Sequence, residues 1–151
     1  MAKLLVAGGL YEKDETGPLR RRFAEALGRQ TILRGHTLLG GCRTQLDLVV
    51  AQAASAAAQS RKLDPNKMIH SWVTRSTTPI HKFGEITRSQ LGDWSEVPRG
   101  FAFPEPVREC DAMIIIGGWD GTQHAARWGR FANKPILSVA TFGGAATDIY
   151  V

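Results

Sequence analysis

Cysteine is scarce in this sequence. Cys42 and Cys110 are its two cysteines, and they form neither a Cys-x-x-Cys pair nor a group with neighbouring histidines. A disulfide framework and a zinc site are therefore not indicated. We expect no metal site and no bound cofactor.

Long apolar runs are also missing. The longest, from Ala112 to Ile116, is far shorter than the roughly 20 residues that a membrane-spanning helix needs. The first residues carry Lys3 but reach Gly8 and Gly9 too soon for a secretory signal. We therefore expect a cytoplasmic protein with no membrane partner.

Two common nucleotide-binding motifs are absent from the chain. It contains neither G-x-G-x-x-G nor the P-loop pattern G-x-x-x-x-G-K-[ST]. A dinucleotide-dependent dehydrogenase and a P-loop NTPase are therefore not supported.

What is present is the composition of a globular domain with excess positive charge. The 151 residues are 43% hydrophobic and 22% charged, which predicts one domain over residues 1–151. Lysine and arginine together number 19 against 14 acidic residues, a net charge of +5. Such a charge suits an anionic partner, and the phosphate of a nucleotide or of a nucleic acid is the first candidate.

Hydrophobic periodicity alternates between strand and helix along the chain. This alternation predicts an α/β, three-layer Rossmann-like fold with a mainly parallel sheet of about five strands and helices on both faces. The predicted strands are residues 3–7, 36–39, 68–74, 112–116 and 135–140. The predicted helices are residues 18–34, 44–61 and about 122–131, with residues 80–94 part helix and part loop.

Two helical segments carry further expectations. In the first helix the spacing of Leu19, Phe23 and Leu27 predicts the buried face, which leaves the arginines at 20–22 on the surface. Residues 145–151 look like the start of a helix that ends without a cap. We expect either a domain excised from a longer effector protein or a helix that docks on a partner; a short native terminal helix is the alternative.

Glycine pairs follow four of the predicted strands. In an open parallel sheet the carboxyl ends of the strands lie along one edge, and glycine lets backbone N–H groups approach a phosphate closely. Each pair could also simply make a tight turn. Four pairs on one edge favour a shared ligand cleft; they are Gly8-Gly9, Gly40-Gly41, Gly117-Gly118 and Gly143-Gly144.

The turn from the second strand into the next helix is the best phosphate candidate. Free N–H groups and the helix dipole point to one place there, and Arg43 adds a bidentate fork, with a hydrogen bond from Cys42 or Thr44. The alternative for Arg43 is an ion pair with Asp47. Cys42 could be a nucleophile, but no base is identifiable beside it, so a packing role is favoured.

The turn over residues 117–122 offers groups for a base and a ribose. Thr122 is predicted as the helix N-cap, Trp119 could stack on a nucleobase, and Asp120 could accept ribose hydroxyls. Alternatively, the tryptophan covers the core and the aspartate fixes the turn. Arg75, just past the third strand, is a second phosphate candidate.

No catalytic residue is predicted firmly. Glu85, on a presumed helix, and Asp120 are weak candidates for a general acid or base. The histidines at 70, 81 and 124 are assigned to surface or core. The complete candidate ligand set is Gly8, Gly9, Leu10, Gly40, Gly41, Cys42, Arg43, Thr44, Arg75, Gly117, Gly118, Trp119, Asp120, Gly121, Thr122, Phe142 and Gly143.

The glycine turns, taken in order, resemble the SLOG superfamily, which joins the Lonely Guy enzymes, the DprA/Smf DNA-processing proteins and nucleotide-sensing domains. The resemblance covers nearly the whole chain. The segment from Lys134 to Ala146 looks most like the sensor branch found beside TIR or Sir2 effectors in bacterial antiphage defence. The matching turns are Val6-Ala7-Gly8-Gly9, Gly40-Gly41-Cys42-Arg43-Thr44-Gln45-Leu46-Asp47 and Gly117-Gly118-Trp119-Asp120-Gly121-Thr122.

The sequence departs from the enzymes of that superfamily. Their P-G-G-x-G-T-x-x-E pattern supplies a glutamate that assists cleavage of an N-glycosidic bond. Here Ile116 replaces the proline, one extra residue precedes Gly121-Thr122, and His124-Ala125 stands around the expected glutamate. The resemblance therefore implies a binding site without the catalytic acid.

The function expected from this resemblance is a non-catalytic sensor of a nucleotide-derived signal, ADP-ribose-like or cyclic, that regulates an attached effector. It implies a homo-oligomer, a dimer or tetramer. One alternative is a phosphoribohydrolase or N-glycosidase acting on nucleoside 5′-monophosphates. Another is single-stranded DNA binding as in the DprA-like proteins.

Overall fold

The fold is built on a parallel sheet of six strands. The computed structural model describes residues 1–10, 17–90 and 103–150. Within them the strands follow the order β4-β3-β2-β1-β5-β6, and all five neighbouring pairs are parallel. The strands are β1 Lys3–Gly8, β2 Thr37–Gly41, β3 Ile69–Val73, β4 Glu85–Arg88, β5 Ala112–Ile116 and β6 Ile136–Val139.

Helices connect the strands and cover the sheet. They are α1 Gly17–Leu33, α2 Gln45–Ser60, α3 Pro65–Met68, α4 Glu105–Glu109, α5 Asp120–Phe131 and α6 Ala145–Tyr150, with a 3-10 turn at Ala140–Phe142. The predicted class, α/β with a parallel sheet and a Rossmann-like arrangement, is confirmed. In the parts of the chain that the structure describes, no helix is long and apolar enough to cross a bilayer.

One strand was not predicted. Residues 85–88 were placed in a segment of helix and loop, but they form β4 at the edge of the sheet, where Glu85 is in register with His70. Four residues are too short a run for periodicity to distinguish a strand from a loop, and pairing with β3 decides the outcome. The end of that segment, residues 91–94, lies outside the described residues.

Two apolar clusters lie on the two faces of the sheet. Val6 belongs to the cluster under α1 and α2, whereas Leu5 belongs to the cluster that includes residues of α4, α5 and α6. Successive side chains of a strand point to opposite faces, so β1 contributes to both cores. The expectation of helices on both faces is confirmed.

The buried face of α1 differs from the prediction. Leu19 is 57% exposed and Phe23 38% exposed, while Arg20 is 1% exposed. The buried positions include Ala24 and Gly28, whose small size allows α1 to approach α2. A Cβ added at Gly28 would lie 2.2 Å from the carbonyl oxygen of Val50. Close contact between helix backbones, rather than apolar spacing, therefore sets the rotation of α1.

The predicted terminal helix is present as α6. Its residues Ala146 and Ile149 are buried. Ser138 Oγ donates to the carbonyl of Ala146, and Arg130 Nη2 donates to that of Ile149 at 2.9 Å. These contacts hold α6 against β6 and α5. That the domain belongs to a longer effector protein stays a prediction.

Candidate ligand-binding cleft

A cavity of about 380 Å³ lies at the carboxyl edge of the sheet. Four strands contribute to it, β1, β2, β3 and β5, each through its last residues or the turn that follows. Many of the predicted ligand residues line this cavity. They are Gly8, Gly9, Leu10, Gly41, Cys42, Arg43, Thr44, Gly118, Trp119, Gly121 and Thr122. The structure thus brings three of the predicted glycine turns together around one cleft.

The turn after β1 is shaped by its contact with β5. Gly8 has φ of 145°, and a Cβ added there would lie 1.7 Å from the carbonyl oxygen of Ile116. Gly9 N–H donates to the same carbonyl at 2.9 Å. Glycine is therefore required at position 8 for strand packing, whatever a ligand needs.

The start of α2 differs from the expectation of free N–H groups. Thr44 is the N-cap, and its Oγ1 accepts from Asp47 N–H at 3.2 Å. Asp47 Oδ2 in turn accepts from the N–H groups of Arg43 at 3.0 Å and Thr44 at 2.9 Å. This reciprocal capping occupies two of the N–H groups that the sequence assigned to a ligand phosphate, so that expectation is wrong for those two groups.

Arg43 lines the cavity and is exposed. The alternative that it pairs with Asp47 is not observed, because Asp47 accepts from the backbone instead. Among the described residues no hydrogen bond or ion pair of the Arg43 guanidinium is found. A cation at the cleft is therefore available to a ligand.

A cluster of titratable groups lies behind this turn. Cys42 Sγ donates to the carbonyl of His81 at 3.1 Å, and burial raises the pKa of the Cys42 thiol. A thiol with a raised pKa is a poor nucleophile, which agrees with a packing role. Burial also raises the pKa of the Asp47 carboxyl and lowers the pKa of His81, whose buried ring accepts from Phe83 N–H at 3.2 Å.

The turn from β5 into α5 corrects the predicted cap. Trp119 is the N-cap and gives no side-chain capping hydrogen bond, while Thr122 lies in the first turn and donates its N–H to Trp119 O at 3.0 Å. Capping is decided by the backbone angles of the turn, which the residue type does not reveal. The Thr122 hydroxyl is therefore not used as a cap.

The Thr122 side chain lines the cleft although it is only 7% exposed. Gly118, with φ of 92°, passes close to it: a Cβ added there would lie 2.0 Å from Thr122 Oγ1. No hydrogen bond of this hydroxyl is found within the described ranges. Trp119 lies at the rim and is 73% exposed, and the side chain of Asp120 lies outside what the structure describes.

Other predicted ligand residues do not line the cavity. Arg75 is exposed, and its carbonyl accepts from Arg88 Nη1 at 3.0 Å. Gly117 O accepts from Ala146 N–H at 3.0 Å, and Phe142 is buried beside Arg20. The fourth glycine turn therefore packs against the third. Gly40, Arg75, Gly117, Phe142 and Gly143 are the predicted residues outside the cavity lining.

Glu85 is far from the cleft in the topology of the sheet. It begins β4 on an edge strand, opposite His70 near the start of β3. Because the strands are parallel, this is the amino edge of the sheet, whereas the cavity lies at the carboxyl edge. The expected helix is therefore a strand here, and the condition for a catalytic role, that Glu85 enters the cleft, is not met.

The sequence reasoning missed several residues at or beside the site. Trp72, Val73 and Thr74 line the cavity from the end of β3, where no glycine pair marks the turn. Asp47 had a readable signal, since a threonine three residues before an acidic residue is typical of a capping box. Arg20 had no such signal in the sequence, because its burial depends on the carbonyl of Phe142, which lies 122 residues away.

No family model and no curated protein matches the sequence. Solved structures are similar to it. The structural-genomics target TM1055 has a TM-score of 0.78 at 19% identity, covering 99% of this chain and 80% of that one.

Two further structures are similar to the chain. The molybdenum cofactor carrier protein of Chlamydomonas reinhardtii has a TM-score of 0.66 at 17% identity, covering 90% of this chain and 75% of its own. DNA processing protein A of Helicobacter pylori, whose structure describes a single-stranded DNA binding mode, has a TM-score of 0.65 at 12% identity. The match covers 99% of this chain and 71% of that one. At such identities the likeness shows the fold alone, which is Rossmann-like.

Proposed function

We propose that this chain is a non-catalytic sensor domain that binds a nucleotide-derived signal, ADP-ribose-like or cyclic, in the cleft. The observation that supports it most is the combination of one cavity with the Arg43 guanidinium and the Thr122 hydroxyl, neither of which has a hydrogen-bond partner among the described residues. A guanidinium and a hydroxyl that make no hydrogen bond to the described residues can each form one with a ligand phosphate, and the bond from the charged guanidinium is the stronger. An anionic oxygen satisfies both groups.

The start of α5 is the second anion-binding element in this proposal. The helix has 12 residues, and its N-cap residue Trp119 gives no side-chain capping hydrogen bond. The N–H of Thr122 donates to Trp119 O, so the N–H groups of residues 120 and 121 and the positive end of the dipole are the anion-binding groups in this proposal. Thr122 lies in the same turn. A phosphate held here would contact the hydroxyl, the backbone of Gly121 and, across the cleft, Arg43.

The remaining lining suits a base. The partly exposed Ala7 and Leu10 contribute apolar surface, and the exposed Trp119 lies at the rim. Aromatic rings stack on nucleobases without sequence preference. Ligand recognition in this proposal therefore combines phosphate contacts on the turns with a base against the apolar surface and Trp119.

Binding is favoured over catalysis by the positions of two acidic residues that the structure describes. Glu85 lies at the other edge of the sheet, and Asp47 Oδ2, which lies in the cleft, accepts two backbone hydrogen bonds. A general acid or base needs a proton position within reach of the substrate. The resemblance to the SLOG sensor branch further supports a role beside a fused or associated effector, in an oligomer and in antiphage defence. Ligand binding would act by differential affinity for two arrangements.

Calorimetric titration of the full chain with ADP-ribose, its cyclic isomers and AMP tests the proposal. Arg43→Ala should weaken binding about 10- to 100-fold, since a charged hydrogen bond contributes about 1.5–3 kcal/mol. Arg61→Ala is the matched control, because Arg61 is an exposed arginine at the opposite end of α2. Equal affinity of Arg43→Ala and wild type would contradict the site, and no binding at all would contradict the function.

The same samples separate the two alternatives. Released base in the AMP titration, abolished by substitution of Asp120, would make the protein an N-glycosidase. Affinity for an oligonucleotide that falls steeply with salt would instead make it a single-stranded DNA-binding protein. The sensor proposal expects neither result.

A further inference from the structure

The first turn of α2 holds an anion that belongs to the chain itself. Asp47 Oδ2 accepts from the N–H groups of both Arg43 and Thr44, at 3.0 and 2.9 Å. These are the positions that a bound phosphate oxygen occupies when a helix start binds an anion. The carboxylate therefore takes the place that the glycine turn would otherwise offer to a ligand.

The same carboxylate faces the cleft. Asp47 is only half-buried and lines the cavity with Arg43 and Thr44. A Cβ added at Gly41 would lie 3.0 Å from its Oδ2 and 3.7 Å from its Oδ1, so the backbone passes close beside it. No hydrogen bond of Oδ1 is found in the part of the chain that is described. A negative charge is thus presented to any ligand that approaches the start of α2.

We propose that Asp47 determines specificity in this cleft by excluding ligand phosphate from the start of α2 and directing it toward the Arg43 side chain and the start of α5. The inference rests on the proposed ligand site. Two like charges a few ångströms apart in a partly buried site repel strongly, whereas the Arg43 guanidinium and the positive end of the α5 dipole attract an anion. The cleft therefore accepts a phosphate-bearing ligand in one orientation.

Three other groups face this carboxylate and share its electrostatics. They are the Cys42 thiol and the His81 ring, which interact electrostatically with Asp47, and the backbone N–H of Arg43, which donates to it. Burial raises the pKa of Asp47 and lowers the pKa of His81. On acidification Asp47 therefore loses its charge at a higher pH than an ordinary aspartate, while His81 becomes charged only at a lower pH than an ordinary histidine.

The test is Asp47→Asn in the full chain, with ADP-ribose as the titrated probe. Asparagine keeps an oxygen that can accept from the N–H groups of Arg43 and Thr44, so the cap is retained while the charge is removed. We expect ADP-ribose to bind about tenfold tighter or more at neutral pH, since the repulsion is lost. Asp64→Asn is the matched control, because Asp64 caps α3 and lies outside the cavity lining.

A pH series on the wild type provides a second measurement, independent of how the variant folds. The pyrophosphate of ADP-ribose stays ionised through this range, so a change in affinity reports the protein. Wild-type affinity should rise as pH falls through the raised pKa of Asp47, and Asp47→Asn should be flatter. Any rise that remains in the variant belongs to His81.

The outcomes separate this inference from the proposed function. Tighter binding by Asp47→Asn, or binding by it alone, supports the exclusion of phosphate by Asp47. The inference is overturned if the wild type binds ADP-ribose, Asp47→Asn binds it equally or more weakly, and the wild-type affinity does not change with pH. The proposed function then still stands. Absence of binding in every variant overturns both.

Discussion

Arg20 shows how one buried residue ties distant segments together. Its Nη2 donates to the carbonyl of Phe142 at 2.7 Å, and its guanidinium carbon lies 5.6 Å from the centroid of the Phe142 ring. Phe23 also contacts that ring, with centroids 5.6 Å apart. The first helix is thus attached to the turn after β6 by a cation and an aromatic pair.

We predict that Arg20→Ala lowers the free energy of unfolding by about 2–4 kcal/mol, because it removes a charged hydrogen bond and leaves a void. Urea unfolding measures the change. Arg22→Ala, at the exposed position two residues on, should stay within about 0.5 kcal/mol of wild type. Equal stability of the two variants would show that the Arg20 contacts contribute little.

At the scale of elements, the contact between α1 and α2 depends on glycine. Gly28 is buried in the middle of α1, facing the Val50 carbonyl of α2. Glycine normally weakens a helix by about 1 kcal/mol relative to alanine. Its presence here is explained by the close approach of two backbones.

Gly28→Ala should therefore destabilise the protein by about 1–3 kcal/mol, through overpacking, against its favourable helix propensity. Gly121→Ala is the control, because a Cβ there would meet no atom within 4 Å, and its stability should be unchanged or higher. Thermal or urea unfolding decides the sign. A stabilised Gly28→Ala protein would mean that the two helices separate easily.

At the scale of the whole molecule, the buried titratable groups behind the cleft couple stability to pH. The pKa of His81 is lowered from its ordinary value of 6.5 by burial. Its contribution to stability is therefore complete above that value and is lost as pH falls through the lower pKa of the folded state. Asp47 acts in the opposite sense: its pKa is raised from 3.8, so its contribution is lost as pH rises through the raised pKa.

His81→Asn isolates the histidine contribution, because the Asn oxygen can replace Nδ1 as acceptor for Phe83 N–H. We expect the free energy of unfolding of the wild type to fall on acidification below about pH 6.5, and that of the variant to fall less. Urea unfolding at several pH values gives both curves. Parallel curves would show that His81 does not carry this pH dependence.

The sequence alone determined the alternation of strands and helices, the parallel sheet and three glycine turns at one edge. It also placed Arg43 at the cleft. These features follow from local patterns, because side-chain periodicity and glycine in tight turns depend on residues close together in the chain. Residues 8, 41 and 118 line one cavity as a consequence of parallel strands ending at one edge.

The tertiary structure alone decided which groups remain open to a ligand. Arg20 is buried by Phe142, Gly117 is engaged by Ala146, and β4 exists because β3 offers it a partner. At the start of α2 the choice between an external phosphate and Asp47 is a matter of geometry in the folded turn. Long-range contacts and the competition of hydrogen-bond donors for acceptors decide these features of the folded chain. Neither can be inferred from residues that are close together in the sequence.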